Sequence, residues 1–212
     1  MRDRETGTIW QHLDGRAIRG PLDGRQLDME PMLQIDWGSW NQDHPETEVI
    51  SPDTDFRDRY RTRQIGHLGF DESFFGDDRM APNALVVGVK VGDSYSGFHI
   101  PSLTAEGGVR NAEVAGDSVV VAYDAATGTG IAYDRRINGQ ISEFVAAQTD
   151  GRLLLQDVAT GTRWNLEGIG ISGPLSAERL QFVPSIISEW YGWSAYHPET
   201  ELYADPAHPE VG

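Results

Sequence analysis

The chain has 212 residues, 39% of them hydrophobic, with 24 glycines, 11 prolines and no cysteine. That length buries a core in one large domain or two small ones, and the lack of cysteine excludes disulfides, thiolate metal sites, iron–sulfur clusters and cysteine nucleophiles. The formal net charge of −16 is unsuited to the clustered cations that phosphate binding needs, so no nucleic-acid partner is expected.

In chain order, Asp3 to Thr8 reads as a turn with Gly7 free to take a positive φ. A strand carrying Trp10 follows, then a Gly20-Pro21-Leu22 turn and a short strand ending near Pro31. Next comes a short helix with Asp36 as N-cap and Trp37 and Trp40 on one face, at i and i+3. His44-Pro45 ends it, because the residue before proline is pushed out of the α region. Glu48–Ser51 reads as a brief strand. Residues 52–84 form a polar, ordered connector with scattered aromatics: Phe56, Tyr60, Phe70, Phe74 and Phe75.

Leu85–Val91 then reads as a strand, turning at Gly92-Asp93 into Tyr95–Ile100. A second hairpin joins Glu113–Val114 to Ser118–Tyr123 through Ala115-Gly116-Asp117. A third joins Gly130–Arg136 to Gln140–Val145 through Asn138-Gly139, and Arg152–Gln156 follows. The last stretch repeats the first: an Asp157–Thr162 turn, a Trp164 strand, a Gly173-Pro174-Leu175 turn and a strand near Pro184. A helix capped by Ser188 then carries Trp190 and Trp193, and Glu201–Tyr203 follows His197-Pro198. The expected fold is mainly β, a β-rich α+β class of antiparallel hairpins forming a barrel or sandwich, with two short helices and an internal duplication.

The duplication rests on aligned residues. From Gly20 onward the two stretches run without a gap at an offset of 153, and residues 20–48 match in 12 of 29 positions. The shared residues include both tryptophans of each helix and the whole His-Pro-Glu-Thr-Glu block, more than chance supplies. Upstream, after a one-residue difference, Trp10 matches Trp164 and Thr6-Gly7-Thr8 matches Thr160-Gly161-Thr162. The expected organisation is therefore residues 1–51 as the back half of a first unit, 52–84 as connector, 85–204 as a complete second unit and 205–212 as a flexible tail. The first copy lacks the hairpins that precede the second, as in the C-terminal part of a longer protein.

Of 17 basic residues only Lys90 is lysine. Acid excess with almost no lysine suits a protein living in concentrated salt, because at 1 M salt the Debye length falls to about 3 Å and self-repulsion is screened. A high-GC genome produces the same arginine bias. No apolar run approaches the roughly 20 residues that cross a bilayer. Met1–Glu5 is charged with no apolar stretch after it, so no signal peptide is read in this chain.

The residues Asp3 to Trp10, Gly20-Pro21-Leu22, Trp37, Trp40 and His44-Pro45-Glu46-Thr47 resemble the family called domain of unknown function 3179. Val86-Val87-Gly88-Val89, Tyr133-Asp134-Arg135-Arg136 and His197-Pro198 resemble that family's second half. The resemblance implies an extracytoplasmic location. It also implies a Tyr-Cys-Pro-Leu-Cys-Gly-Thr motif with a preceding His-Glu pair, which looks like a metal or redox site. Here Tyr123 to Thr129 is the nearest counterpart, with Asp124 and Thr127 at the cysteine positions and Gly107-Gly108 near the His-Glu position.

The six histidines, His12, His44, His67, His99, His197 and His208, show no HExxH or i, i+4 pairing. His44 and His197 each end a helix, where the dipole favours a partly cationic imidazole; a repeated metal site with Glu46 or Glu199 is the alternative. The Trp37/Trp40 and Trp190/Trp193 pairs read as core anchors, or, if exposed, as a carbohydrate platform. No Gly-x-Ser-x-Gly elbow occurs, Asp53-x-Asp55 and Asp71-Glu72 lack the spacing of an EF-hand loop, and Thr127-Gly128-Thr129-Gly130 reads as a hairpin turn.

These residues describe a non-catalytic, β-rich structural or binding module that needs no cofactor. Its expected partner is another protein or the remainder of a longer chain, with no small-molecule ligand identified. Two alternatives stay open: a metal-binding or redox protein whose site lies in a preceding region, and a carbohydrate or cell-envelope binding module. The candidate ligand-binding residues are Trp37, Trp40, His44, Trp190, Trp193 and His197.

Overall fold

The structure, a computed structural model, describes residues 1–51, 53–56, 76–149 and 151–203. The first copy contributes β1 (Ile9–Trp10), β2 (Ala17–Arg19) and α1 (Trp37–Asp43). The middle contributes β3 (Leu85–Val91), β4 (Ser94–His99), α2 (Ile100–Ala105), β5 (Val109–Val114), β6 (Asp117–Asp124) and β7 (Thr129–Asp134). It continues with β8 (Arg136–Ile137), β9 (Gln140–Ile141), β10 (Phe144–Thr149) and β11 (Arg152–Asp157). The second copy adds β12 (Arg163–Trp164), β13 (Gly170–Ser172), β14 (Phe182–Val183), β15 (Ser185–Glu189), α3 (Trp190–Tyr196) and β16 (Glu201–Tyr203).

Residues 118–122 of β6 read Ser-Val-Val-Val-Ala, and a strand without a polar face must be covered on both sides. The layering does this. The sheet ordered β14-β7-β6-β5 lies in the middle. On one face Val119 and Val121 meet Val87, Val89 and Phe98 of the sheet ordered β15-β3-β4-β16, with Leu103 of α2 beside them. On the other, Val120 and Ala122 meet Phe144, Leu153, Leu155 and Trp164 of the sheet ordered β10-β11-β12-β13. α3 covers the outer face of the β3–β4 sheet through Trp190 and Trp193. The result is a sandwich-like stack of open sheets, mostly antiparallel, and no sheet among the described residues closes into a barrel.

One local device recurs in both copies. The Asp3 carboxylate accepts from the Thr6 amide and hydroxyl, and Asp157 accepts the same pair from Thr160. Asp124 and Thr127 form a third such turn between β6 and β7, with Thr127 donating to Asp124 at 3.1 Å. The Gly-Pro-Leu turn then rests on the threonine that closes each turn. Gly20 (φ 119°) and Gly173 (φ 101°) approach Thr8 and Thr162 so closely that a Cβ would lie 2.8 and 2.7 Å from the threonine Cα. No other residue satisfies both the dihedral and the contact.

Several expectations are corrected. There are three helices among the described residues. Ile100, expected to end a strand, instead opens α2, because Pro101, in its first turn, is pre-organised for a helix start. The N-cap of α3 is Glu189, with no side-chain cap bond, because Ser188 is the penultimate residue of β15 and its hydroxyl donates to the Glu189 carbonyl. Asp36 does cap α1, accepting from the Ser39 amide at 3.0 Å. Gln140–Val145 divides at Ser142-Glu143: β9 pairs with the tiny β8, whereas β10 pairs with β11. Glu48–Ser51 and the stretch near Pro31 form no strand. Their second-copy counterparts do so by pairing with β4, β3 and β7, and a strand needs a partner for its backbone groups. Most of the 52–84 connector and the 205–212 tail lie outside the described residues.

Candidate functional site

Each tryptophan helix builds a site, and the two differ in what covers them. Around α3 the site is complete. Trp190 and Trp193 are 0% and 2% exposed. The six-membered ring of Trp193 lies on the backbone of Gly88, where a Cβ would stand 2.3 Å from its Cζ3; Gly97 of β4 receives the edge of Trp190. The Trp193 indole nitrogen donates to Thr200 Oγ1 at 2.9 Å, which binds the helix to the His-Pro-Glu-Thr-Glu block.

His197, which ends α3, is buried against the ring of Tyr95, with centroids 3.7 Å apart. The Tyr95 hydroxyl donates at 2.8 Å to Asp14 Oδ2, a residue of the first copy. Lys90, the single lysine of the chain, reaches the same carboxylate at 3.3 Å and Gln26 Oε1 at 2.7 Å. Burial works to raise the Asp14 carboxyl, but bonds from the Arg16 amide and Tyr95 hydroxyl and the Lys90 charge outweigh it and hold it below its ordinary value. Burial and the Asp14 carboxylate push the Tyr95 phenol up. Burial also pushes His197 down to about 4 despite the attraction of Asp14. Its imidazole is therefore neutral at pH 7, which corrects the expectation of a partly cationic helix end, and its Nε2 finds no partner among the described residues.

Around α1 the same internal bonds form, but no strand covers it among the described residues. Trp40 donates to Thr47 Oγ1 at 2.8 Å and lies against His44 with centroids 4.1 Å apart. Yet no residue of α1 is buried, and Trp37 is 51% exposed. What holds α1 comes from the second copy: His44 Nε2 donates to Glu167 at 3.1 Å, and Arg152 pairs with Asp43, holding that carboxyl low. Leu33, Ile35 and Asp43 face Asp124, Thr127 and Arg152 across a cleft of about 210 Å³.

The two sites are linked reciprocally. Asp14 and Glu167 each precede a glycine of positive φ, Gly15 and Gly168. Glu167 of the second copy faces His44 of the first, and Asp14 of the first supplies the carboxylate beside His197 of the second. Each copy thus completes the helix end of the other.

The sequence-predicted residues therefore fall in two groups. Trp190, Trp193 and His197 are core; Trp37 is exposed, and Trp40 and His44 are half-buried beneath an open surface. Asp14, Gly88, Lys90 and Tyr95 escaped the sequence reading. The solitary lysine was the available signal, since a chain that uses arginine elsewhere holds a compact ammonium where a planar guanidinium is not interchangeable. Tyr123 donates its amide to the Gly108 carbonyl at 2.8 Å, so the Gly107-Gly108 and Tyr123-Asp124 positions are adjacent. No group of three or more His, Asp or Glu side chains is placed to hold a metal ion among the described residues.

Fold and site define a β-rich, cysteine-free chain of stacked open sheets, with no helix among the described residues long and apolar enough to cross a membrane. The chain belongs to the family described as protein of unknown function (DUF3179), whose model matches residues 1–201. No curated protein and no solved structure matches it.

Proposed function

We propose that the chain is a non-catalytic binding module whose contact face is α1 with its flanking segments. The observation that carries this is the contrast between two equivalent helices that share both tryptophans: those of α3 are buried, while α1 leaves Trp37 half exposed. Contiguous apolar side chains exposed beside one another mark interaction surfaces, and tryptophan is enriched at the centre of such interfaces. The charge and the arginine bias support a setting of concentrated salt. The test is recovery of partners from native extract held at 2 M KCl, with the wild-type chain and Trp37→Glu as baits. A partner held by the wild type and lost with Trp37→Glu is expected; equal retention by both refutes the reading.

Carbohydrate stacking is the second reading, and the same exposed indole favours it. Burial of Trp190 and Trp193 confines it to the first copy, where Trp40 is already engaged by His44 and Thr47. Envelope polysaccharide that binds the wild type and not Trp37→Ala would favour the sugar.

A further inference from the structure

We infer, building on the binding-module reading, that the first repeat holds a slot for a two-stranded β-hairpin that is not among the described residues. In the second copy the sheet order is β15-β3-β4-β16, so the two outer strands come from the repeated segment and the β3–β4 hairpin fills the space between them. The counterparts of β15 and β16 in the first copy are residues 32–36 and Glu48–Ile50. Both segments are present, α1 lies between them in sequence, and no strand pairs with either among the described residues.

The side chains that a hairpin would cover are the ones left in solvent. Met32 is 87% exposed, Val49 66% and Ile50 92%, together with Trp37 of α1. Their counterparts Ser185, Leu202, Tyr203 and Trp190 are half-buried or buried, because β3 and β4 lie against them. Two outer strands and a covering helix without the inner pair expose unpaired backbone and apolar surface together, which is the geometry that strand addition exploits.

The filled copy specifies the occupant's chemistry. Its first strand pairs antiparallel to residues 32–36, as β3 pairs with β15, placing a glycine opposite Leu33 as Gly88 stands opposite Ile186. Its second strand runs parallel to Glu48–Ile50, as β4 runs beside β16, with a glycine opposite Val49 as Gly97 stands opposite Leu202. Those glycines let Trp37 and Trp40 descend onto the backbone, as Trp190 and Trp193 do. An aromatic hydroxyl at the place of Tyr95 stacks on His44 and donates to Glu167, the counterpart of Asp14. The partner is thus a glycine-paired hairpin with one tyrosine.

The probe is a synthetic peptide with the sequence of residues 84–99, titrated into the full chain at 2 M KCl and read by amide hydrogen exchange. The expected result is slowing of the amides of residues 32–36 and 48–50 by at least about tenfold. Replacing the glycine that corresponds to Gly88 with alanine, or Trp37→Ala in the chain, weakens binding at least about tenfold. Fusing a second copy of residues 76–149 ahead of Met1 presents the same hairpin tethered, should the free peptide not adopt it. Unchanged exchange with both probes, or equal binding of the glycine and alanine peptides, overturns the inference. So does a concentration-dependent dimer that protects the same amides without peptide, which assigns the slot to a second copy. A partner that depends on Trp37 in extract, combined with unchanged exchange here, sinks the hairpin and leaves the binding-module reading standing.

Discussion

Gly88→Ala isolates the contact on which the complete helix site depends. A Cβ at Gly88 would stand 2.3, 2.5 and 2.5 Å from three ring carbons of Trp193, more than 1 Å inside ordinary contact. The ring has little room to retreat. Its nitrogen is bonded to Thr200, the Tyr95 and His197 rings flank it, and Val86 belongs to the same cluster. Overpacking that cannot be relieved by rotamer change costs about 1–3 kcal/mol, and the tightness here places Gly88→Ala at about 3 kcal/mol. Gly97→Ala, whose nearest contact would be the Trp190 edge at 3.3 Å, costs under about 1 kcal/mol because a shift of tenths of an ångström suffices. The assay is equilibrium denaturation in 2 M KCl with Trp193→Ala and the double variant. If the clash is the cause, removing the indole relieves it, and the double variant is more stable than the sum of the single losses by at least about 1 kcal/mol. Additive losses, or a Gly88→Ala within about 0.5 kcal/mol of wild type, would refute the reasoning.

Three further outcomes follow from the same structure. Trp190→Ala removes a fully buried indole and costs about 3–5 kcal/mol, whereas Trp37→Ala at the equivalent but exposed position stays within about 0.5 kcal/mol in the isolated chain; equal losses in denaturation would contradict the asymmetry. His197 titrates at about 4 when folded against an ordinary 6.5, so the unfolded chain binds the proton first. Stability is whole above pH 6.5 and falls by about 3 kcal/mol as pH drops from 6.5 to 4, and His197→Phe should flatten the stability profile across that window; a variant as steep as wild type would show that other groups carry the loss. With a net charge of −16, raising KCl from dilute buffer to 2 M screens self-repulsion and should lift Tm by more than about 4 °C, measured by calorimetry; an unchanged Tm would remove the support for a high-salt setting.

Local chemistry was legible in the sequence wherever neighbouring residues dictate it. The Asp-x-x-Thr-Gly-Thr turns, the Asp36 cap, the His-Pro helix ends and the Ala115-Gly116 and Asn138-Gly139 turns depend on bonds and dihedrals within a few residues. The 12 shared residues of 29 made the two helices equivalent on paper. What they could not carry was the difference between them, because burial belongs to whatever lies across the contact. Trp193 and Trp190 are core since Gly88 and Gly97, some 100 residues away, offer bare backbone beneath them, and Trp37 is exposed since no such hairpin lies under α1 among the described residues. The same holds for Asp14, Lys90, Tyr95 and His197: only the packing of one copy on the other brings them within hydrogen-bonding and stacking distance. Sequence specified the module twice; tertiary structure decided that one copy is filled and the other open, because strand pairing and ring burial need partners that local residues do not encode.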